Sequence, residues 1–209
     1  MNVQNENPKP QRVVFFGDSI TEAGVNPGGY IALLKDLLHE NGKTEDYELI
    51  GSGIGGNKVY DLFFRLEKDV LSRKPDIVVI WIGVNDVWHK SSFGTGTDAD
   101  KFELMYMDII SRLQNQGIKV FCGTPACIGE KTDHSNQQDG DLNSYSSIIR
   151  NIAASKGIGL MDFRSKFLEY NMVHNKNNRP SGILTTDGVH LNDKGNNLVA
   201  QLIFETIFK

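Results

Sequence analysis

The sequence has few cysteines, no long apolar run and no excess of basic residues. Its 209 residues include two cysteines, Cys122 and Cys127, which are too few for a disulfide framework. Cys122 ends an apolar run, so we predict that it is a buried thiol and that both cysteines are reduced. No apolar segment approaches the roughly 18 residues that predict a membrane-spanning helix. Acidic residues outnumber basic ones by 26 to 22 and no basic stripe is present, which argues against a nucleic acid partner.

The first 11 residues are polar and include Pro8 and Pro10. They lack the apolar core of a signal peptide. We therefore expect a polar N-terminal extension over residues 1–11 and a single domain over residues 12–209. The sequence fits a cytoplasmic protein or the mature form of an exported one, and we favour the cytoplasmic location. It does not indicate an oligomeric state.

Short apolar runs alternate with segments of helical periodicity, a pattern typical of βαβ units and a parallel sheet. The predicted strands are Arg12–Phe16, Tyr47–Ile50, Asp76–Ile82, Ile118–Cys122 and Ile158–Phe163. The predicted helices are Tyr30–Glu40, Val59–Arg73, Phe102–Leu113, Leu142–Ser155 and Asp193–Phe208. Two polar stretches, Trp88–Asp98 and Ala126–Asp141, follow strand ends and are predicted to be loops. Ligands bind at that edge of open α/β sheets.

Four short motifs lie at these strand ends or in loops. The first, Gly17-Asp18-Ser19-Ile20, follows the first strand and would expose the hydroxyl of Ser19 at a strand-to-helix turn. Taken alone, an Asp-Ser pair is better explained as a helix cap. The third, Gly83-Val84-Asn85-Asp86, ends the third strand, where the Asn85 amide could stabilise an oxyanion. A plain turn would also favour Asn and Asp.

The second motif is the glycine-rich loop Gly51–Asn57, which could bring free backbone N–H groups close to a ligand. Its glycines also spell GxGxxG, the pattern of a dinucleotide site. That alternative requires an acidic residue at the end of a later strand. Here the corresponding region, Lys68–Lys74, belongs to a predicted helix, and the loop follows the second strand instead of the first. A dinucleotide-binding protein therefore remains a remote alternative.

The fourth motif, Asp187-Gly188-Val189-His190, can bring a carboxylate and an imidazole together on one turn. A chance histidine in a solvated loop is the simpler alternative. His39, His134 and His174 lie in helical or polar segments, and His89 lies in the predicted loop after Asn85. Of these four, His89 could line a pocket.

Together the four motifs resemble the SGNH, or GDSL-like, hydrolases, a family of esterases and lipases. The matching blocks are GDSI, GIGGN, GVND and DGVH, and the resemblance extends from about Val13 to the last helix. It implies a three-layer α/β/α flavodoxin-like fold with a central five-stranded parallel sheet. It also implies that Ser19 is the nucleophile, that His190 is the base and that Asp187 is its partner.

The same resemblance implies an oxyanion hole formed by the backbone N–H of Ser19, the backbone N–H of Gly56 and the side chain of Asn85, with Gly55 as the alternative to Gly56. The chain departs from the family in two places: Gly51 stands where an asparagine is common, and Leu191 stands where a proline is common. Neither position supplies a catalytic group. The GxSxG motif of α/β-hydrolases is absent around Ser19, which disfavours that fold.

The expected activity is hydrolysis of a small-molecule ester through an acyl-enzyme, with no metal and no organic cofactor. Asp18, Asn57, Trp88 and His89 are predicted to bind substrate. The strongly polar stretch Gly129–Asn143 favours a short acyl group, such as acetyl, on a polar alcohol such as a sugar. Lysophospholipase and thioesterase activities remain alternatives, and an inactive ligand-binding relative is a more remote one.

Overall fold

The computed structural model describes residues 9–209, and it has a five-stranded parallel sheet with helices on both faces. The strands are β1 (Gln11–Gly17), β2 (Tyr47–Gly53), β3 (Ile77–Trp81), β4 (Lys119–Gly123) and β5 (Gly159–Met161). The α-helices are α1 (Ser19–Gly24), α2 (Tyr30–Glu40), α3 (Val59–Asp69), α4 (Val84–Phe93), α5 (Ala99–Gln114), α6 (Asp139–Lys156), α7 (Phe163–His174) and α8 (Asp193–Ile203). No helix within these residues is long and apolar enough to cross a bilayer.

The strand order is β2-β1-β3-β4-β5, which is the flavodoxin-like order and confirms the predicted fold. The chain leaves β1 for β2 on one side, and β3 then pairs with β1 on the other. Gly17, the last residue of β1, lies between Gly53 of β2 and Trp81 of β3. The carboxyl ends of β1 and β3 therefore border the crevice where such sheets bind ligands.

Each face of the sheet has its own apolar core because successive side chains of a strand point to opposite faces. Phe15 of β1 packs on one face with residues of α2, α7 and α8, among them Leu34. Phe16 packs on the other face with residues of α3, α5 and α6, among them Leu62. With both faces covered, β3 is buried at every position, as its continuous apolar sequence predicts.

The structure corrects several predicted boundaries. The predicted loop Trp88–Asp98 is wrong over its first part, because α4 extends from Val84 to Phe93. The predicted last strand ends at Met161, because the Asp162 carboxylate accepts a hydrogen bond from the backbone N–H of Ser165 and starts α7, a helix that the sequence did not predict. The predicted loop Ala126–Asp141 ends earlier, since α6 begins at Asp139.

At the N-terminus, Gln11 pairs with Tyr47, so the sheet begins one residue before the predicted boundary between extension and domain. Residues 1–8 of the predicted extension lie outside the described residues. Cys122 is buried, as predicted; Cys127 is buried as well, and both cysteines are free. Burial raises the pKa of the Cys122 thiol to about 12, so it stays protonated at neutral pH.

Candidate active site

Ser19 begins α1 directly after β1, so its side chain lies at the carboxyl edge of the sheet. The turn into the helix is tight: a Cβ on Gly17 would lie 2.4 Å from Thr21 Oγ1 and 2.5 Å from the carbonyl oxygen of Trp81. Only glycine fits there. Asp18 caps the helix, and its side chain accepts a hydrogen bond from the backbone N–H of Ile20 at 3.0 Å. The hydroxyl oxygen of Ser19 lies 3.0 Å from His190 Nε2.

His190 and Asp187 share one turn, and Asp187 holds that turn together. Its Oδ2 lies 2.7 Å from His190 Nδ1, while its Oδ1 accepts hydrogen bonds from the backbone N–H groups of Val189 and His190 at 2.9 and 2.8 Å. The turn depends on Gly188, which has φ +99° and whose Cβ would lie 3.2 Å from the backbone nitrogen of Gly129. Serine, histidine and aspartate thus form one hydrogen-bonded chain.

The environment of Asp187 keeps its carboxylate ionised. Partial burial raises the pKa of this group, but the hydrogen bonds from His190 and from the backbone of Val189 outweigh that effect and leave it below the ordinary value. An ionised Asp187 can only accept a hydrogen bond, so the proton of the neutral imidazole lies on Nδ1. Nε2 of His190 is then free to accept a hydrogen bond from the Ser19 hydroxyl. This is the tautomer that a general base facing Ser19 requires.

Glu130 anchors the segment that precedes this turn, and the sequence reasoning missed it. Its side chain is buried, and its carboxylate accepts hydrogen bonds from three consecutive backbone N–H groups, those of Ile183, Leu184 and Thr185 at 2.8, 2.6 and 2.9 Å. Thr185 Oγ1 in turn accepts a hydrogen bond from the Gly188 N–H at 3.0 Å. No motif marks Glu130, because a glutamate in a polar stretch is unremarkable until its partners, more than 50 residues away, are known.

The groups predicted to form the oxyanion hole lie around Ser19. Within residues 9–209, the backbone N–H groups of Ser19 and Gly56 have no hydrogen-bond acceptor. The Gly55 N–H, in contrast, donates to Glu22 Oε2 at 2.9 Å, which favours Gly56 over Gly55. Asn85 is buried, and its Nδ2 donates to the carbonyl oxygen of Asn57 at 3.0 Å. An amide group has two N–H bonds, so one remains for a ligand.

The four residues predicted to bind substrate differ in what the structure allows. Asp18 is 2% exposed and accepts a hydrogen bond from its own helix, so it offers little surface to a ligand, and its role in substrate binding stays a prediction. Asn57 Oδ1 is occupied by Arg65 Nε at 2.7 Å. Trp88 and His89 lie on α4 and are part-buried, and the ring of Trp88 stands edge-on to the ring of His190 at 6.2 Å between centroids. Of the four, Trp88 is the one whose ring lies next to the ring of His190.

A polar cleft opens beside Asp187. It has a volume of about 370 Å³ and is bordered on one side by Trp88, Asp187 and Val189. Its other walls come mostly from the segment after β4, and they include Lys131, Ser135, Asn136, Gln137 and Gln138. Amide, hydroxyl and ammonium groups therefore face a volume of small-molecule size beside one aromatic ring. That composition suits a ligand rich in hydroxyl groups.

The structure gives little support to a dinucleotide in the glycine-rich loop. The N–H groups of Ile54 and Asn57 donate to the carbonyl oxygens of Gly17 and Ile54, and the Gly55 N–H donates to Glu22. Most of the loop's donors are therefore already used. In the part of the chain that the structure describes, no group of three or more His, Cys, Asp or Glu side chains is arranged to hold a metal ion.

Comparisons with known proteins agree with this geometry. The model of the GDSL-like Lipase/Acylhydrolase family matches residues 15–198. The crystal structure of the acetyl xylan esterase AlAXEase is 58% identical, superposes with a TM-score of 0.93, and the match covers 94% of this chain and 100% of that one. An acetylxylan esterase of Geobacillus stearothermophilus is 28% identical over 177 residues, which are 76% of this chain and 78% of that esterase. An α/β hydrolase from the metagenome of Lake Arreo, Spain, is 25% identical with a TM-score of 0.84, over 95% of each chain.

Proposed function

The chain belongs to the GDSL-like lipase/acylhydrolase family and hydrolyses ester bonds, and from this premise we propose that it removes acetyl groups from carbohydrate esters through an acyl-enzyme on Ser19. The observation that carries the proposal is the continuous chain from Ser19 Oγ to His190 at 3.0 Å and from His190 to Asp187 at 2.7 Å. These distances suit proton transfer from a nucleophile to its base.

In the first half of the reaction, Ser19 Oγ attacks the ester carbonyl while its proton passes to His190 Nε2. Asp187 stabilises the imidazolium that forms and holds the ring in place. The negative charge that develops on the carbonyl oxygen is stabilised by the N–H groups of Ser19 and Gly56 and by the free N–H of Asn85. His190 then protonates the leaving alcohol, and the acyl group remains on Ser19.

In the second half, water takes the place of the alcohol. His190 accepts a proton from the water as the water attacks the acyl-enzyme, and the same three donors stabilise the second oxyanion. Collapse of this intermediate returns the proton to Ser19 and releases the carboxylic acid. His190 accepts and returns the proton in each step, and the reaction requires no redox step.

Two observations support a sugar acetate as the substrate. The polar cleft beside Asp187 offers hydrogen-bonding groups and the ring of Trp88, which lies 6.2 Å from the ring of His190, to the alcohol that leaves. The two esterases at 58% and 28% identity are named for activity on acetylated xylan. An acyl chain long enough to reach this cleft would compete with the alcohol for it and would leave the hydrogen bonds of its polar groups unsatisfied.

The test is acetate release from acetylated xylo-oligosaccharides, measured beside hydrolysis of p-nitrophenyl acetate, butyrate and octanoate. We expect release of acetate from the oligosaccharide and a fall in kcat/KM from acetyl to octanoyl. Ser19→Ala is the control and should abolish both activities. Rising kcat/KM toward octanoate, with no acetate released from the sugar, would contradict the proposal and favour lysophospholipase or thioesterase activity.

A further inference from the structure

Arg65 extends from α3 to the carboxyl ends of two neighbouring strands. Its Nη2 donates to the carbonyl oxygen of Gly17 in β1 at 2.8 Å and to that of Ser52 in β2 at 3.0 Å. Gly17 lies two residues before Ser19. One guanidinium thus ties the end of the strand that carries Ser19 to the start of the glycine-rich loop that carries Gly56.

The same side chain also orients the far end of that loop. Arg65 Nε donates to Asn57 Oδ1 at 2.7 Å. Asn57 directly follows Gly56, and its carbonyl oxygen accepts the hydrogen bond from Asn85 Nδ2 at 3.0 Å. A short chain of contacts therefore leads from Arg65 through Asn57 to two of the three proposed oxyanion donors, while Gly17 connects Arg65 to the segment of the third.

The guanidinium is itself held rigidly. Its side chain is 12% exposed, it lies 4.5 Å above the ring of Phe16, and its Nη1 lies 3.2 Å from Asp69 Oδ2 and from Ser52 Oγ. Burial lowers the pKa of Arg65 and the neighbouring Asp69 raises it, and arginine stays protonated under all conditions of interest. A lysine would keep the charge, but its three donors share one nitrogen and could not replace Nε, Nη1 and Nη2, which serve acceptors on different segments.

We propose that Arg65 is a positioning residue for the oxyanion hole, which acts through Asn57 on Asn85 and Gly56. The inference rests on the proposed function, because it assigns those groups to the oxyanion hole. Arg65 touches neither the nucleophile nor the base, so its effect should fall on stabilisation of the transition state rather than on binding of the ester. A displacement of donors by a fraction of an ångström is costly in catalysis.

The first test compares Arg65→Lys with Arg112→Lys. Arg112 is a matched control, because it also lies over a phenylalanine ring, that of Phe63 at 5.9 Å, and near an acid, Glu67 at 3.7 Å, but on the outside of the helices. We expect Arg65→Lys to lower kcat for p-nitrophenyl acetate by roughly 10- to 100-fold with little change in KM. Arg112→Lys should leave both constants within about twofold of the wild type.

A second readout separates positioning from a general loss of structure. Boronic acids form a tetrahedral anionic adduct with an active-site serine and so mimic the transition state. If Arg65 positions the oxyanion donors, Arg65→Lys should raise the inhibition constant of a boronic acid by the factor by which it lowers kcat/KM. A fall in kcat with unchanged boronic acid affinity, or a rise in KM alone, would overturn the inference.

Asn57→Ala tests whether Arg65 acts on the oxyanion donors through Asn57. It also tests the inference if Arg65→Lys does not fold. This change removes the acceptor of Arg65 Nε but keeps the backbone carbonyl that Asn85 contacts. We expect a loss of kcat similar to that of Arg65→Lys, and in the double variant a combined loss well below the product of the two. The inference would be refuted if Asn57→Ala kept the kcat of the wild type. It would also be refuted if the loss of kcat in the double variant equalled the product of the two single losses. If Ser19→Ala retained wild-type activity, the proposed function itself would fail, whatever Arg65 does.

Discussion

Asp187 has two roles at the residue scale, because the carboxylate that contacts His190 also accepts two backbone hydrogen bonds of the turn. Asp187→Asn should present an amide N–H₂ where Nδ1 of His190 needs an acceptor, and it should disfavour the working tautomer. We therefore expect a larger fall in kcat than for Asn85→Ala, which removes one oxyanion donor and should cost about 10²–10³-fold. Steady-state kinetics with p-nitrophenyl acetate measures both. An equal or smaller loss of kcat for Asp187→Asn would mean that Asp187 has only a secondary part in orienting His190.

Asp18 makes stability depend on pH. Burial, together with the charge of the nearby buried Asp86, raises the pKa of Asp18 to about 7, and burial raises the pKa of Asp86 to about 6. Between the reference value of 3.8 and about 7, the folded protein keeps a proton that the unfolded chain has lost. Stability contributed by this proton is thus present at low pH and is lost as pH rises through about 7.

Asp18→Asn should remove that dependence, because Asn keeps an acceptor for the Ile20 N–H and does not titrate. The difference in unfolding free energy between variant and wild type should grow in favour of the variant from pH 5 to about pH 7, by at most about 1.4 kcal/mol per pH unit, and should level off above that. Urea denaturation at each pH measures it. Asp36→Asn, an exposed position on α2, serves as the control and should show no such trend. A pH-independent difference for Asp18→Asn would contradict the buried, protonated carboxyl.

The sequence predicted the serine, histidine, aspartate and asparagine of the site because each stands in a short contiguous motif. Arg65 and Glu130 could not be predicted in this way. Their functions depend on partners that come close only after folding, such as the Gly17 carbonyl 48 residues from Arg65 and the Leu184 N–H 54 residues from Glu130. The motif position of Asp18 likewise does not reveal that its side chain is buried and caps α1.

At the scale of elements, the loop that carries Asp187 and His190 depends on Glu130. Glu130→Gln would place an N–H₂ group against backbone N–H groups and leave at least one of the three without an acceptor. We expect a loss of about 1–3 kcal/mol in the free energy of unfolding, together with a lower kcat. Chemical denaturation and steady-state kinetics check this, with the exposed Glu103→Gln on α5 as the control. Unchanged stability would show that the loop does not need this carboxylate.

Long helices with a clear apolar stripe were predicted within a few residues, and α2 was predicted at its observed bounds. Helix α7 was missed because its buried face includes Arg164 and Asn171 as well as Phe163 and Phe167, so the apolar periodicity is broken. The buried Arg164 pairs with Asp139 at 2.7 Å and donates to Asn143 at 2.8 Å, contacts that the sequence does not reveal. Helix α4 was missed because only its first turn is buried.

At the scale of the whole molecule, the strand order explains why distant motifs meet. Ser19 follows β1 and Asn85 follows β3, and these strands are neighbours at the point where the strand order reverses. The turn with Asp187 and His190 comes much later in the chain, yet it reaches Ser19 across 171 residues. The parallel α/β pattern predicted this edge as the site. The polar cleft, in contrast, depends on how the segment after β4 folds, which no periodicity encodes.

The assignment of residues 12–209 to one domain remains a prediction that the two apolar cores support, since both pack on the same sheet. The chemistry at the edge of that sheet depends on one atom, the hydroxyl oxygen of Ser19. Every other proposed role, from the base to Arg65, assumes that this oxygen becomes acylated.

The most direct test is therefore the turnover of p-nitrophenyl acetate by the wild type and by Ser19→Ala, with equal folding checked by circular dichroism. We predict a fall in kcat on the order of 10⁴–10⁶-fold in the variant, as for removal of a serine nucleophile. The wild type alone should form a covalent acetyl adduct that mass spectrometry locates on Ser19. Equal turnover in the two proteins would contradict the account, because the nucleophile would then lie elsewhere.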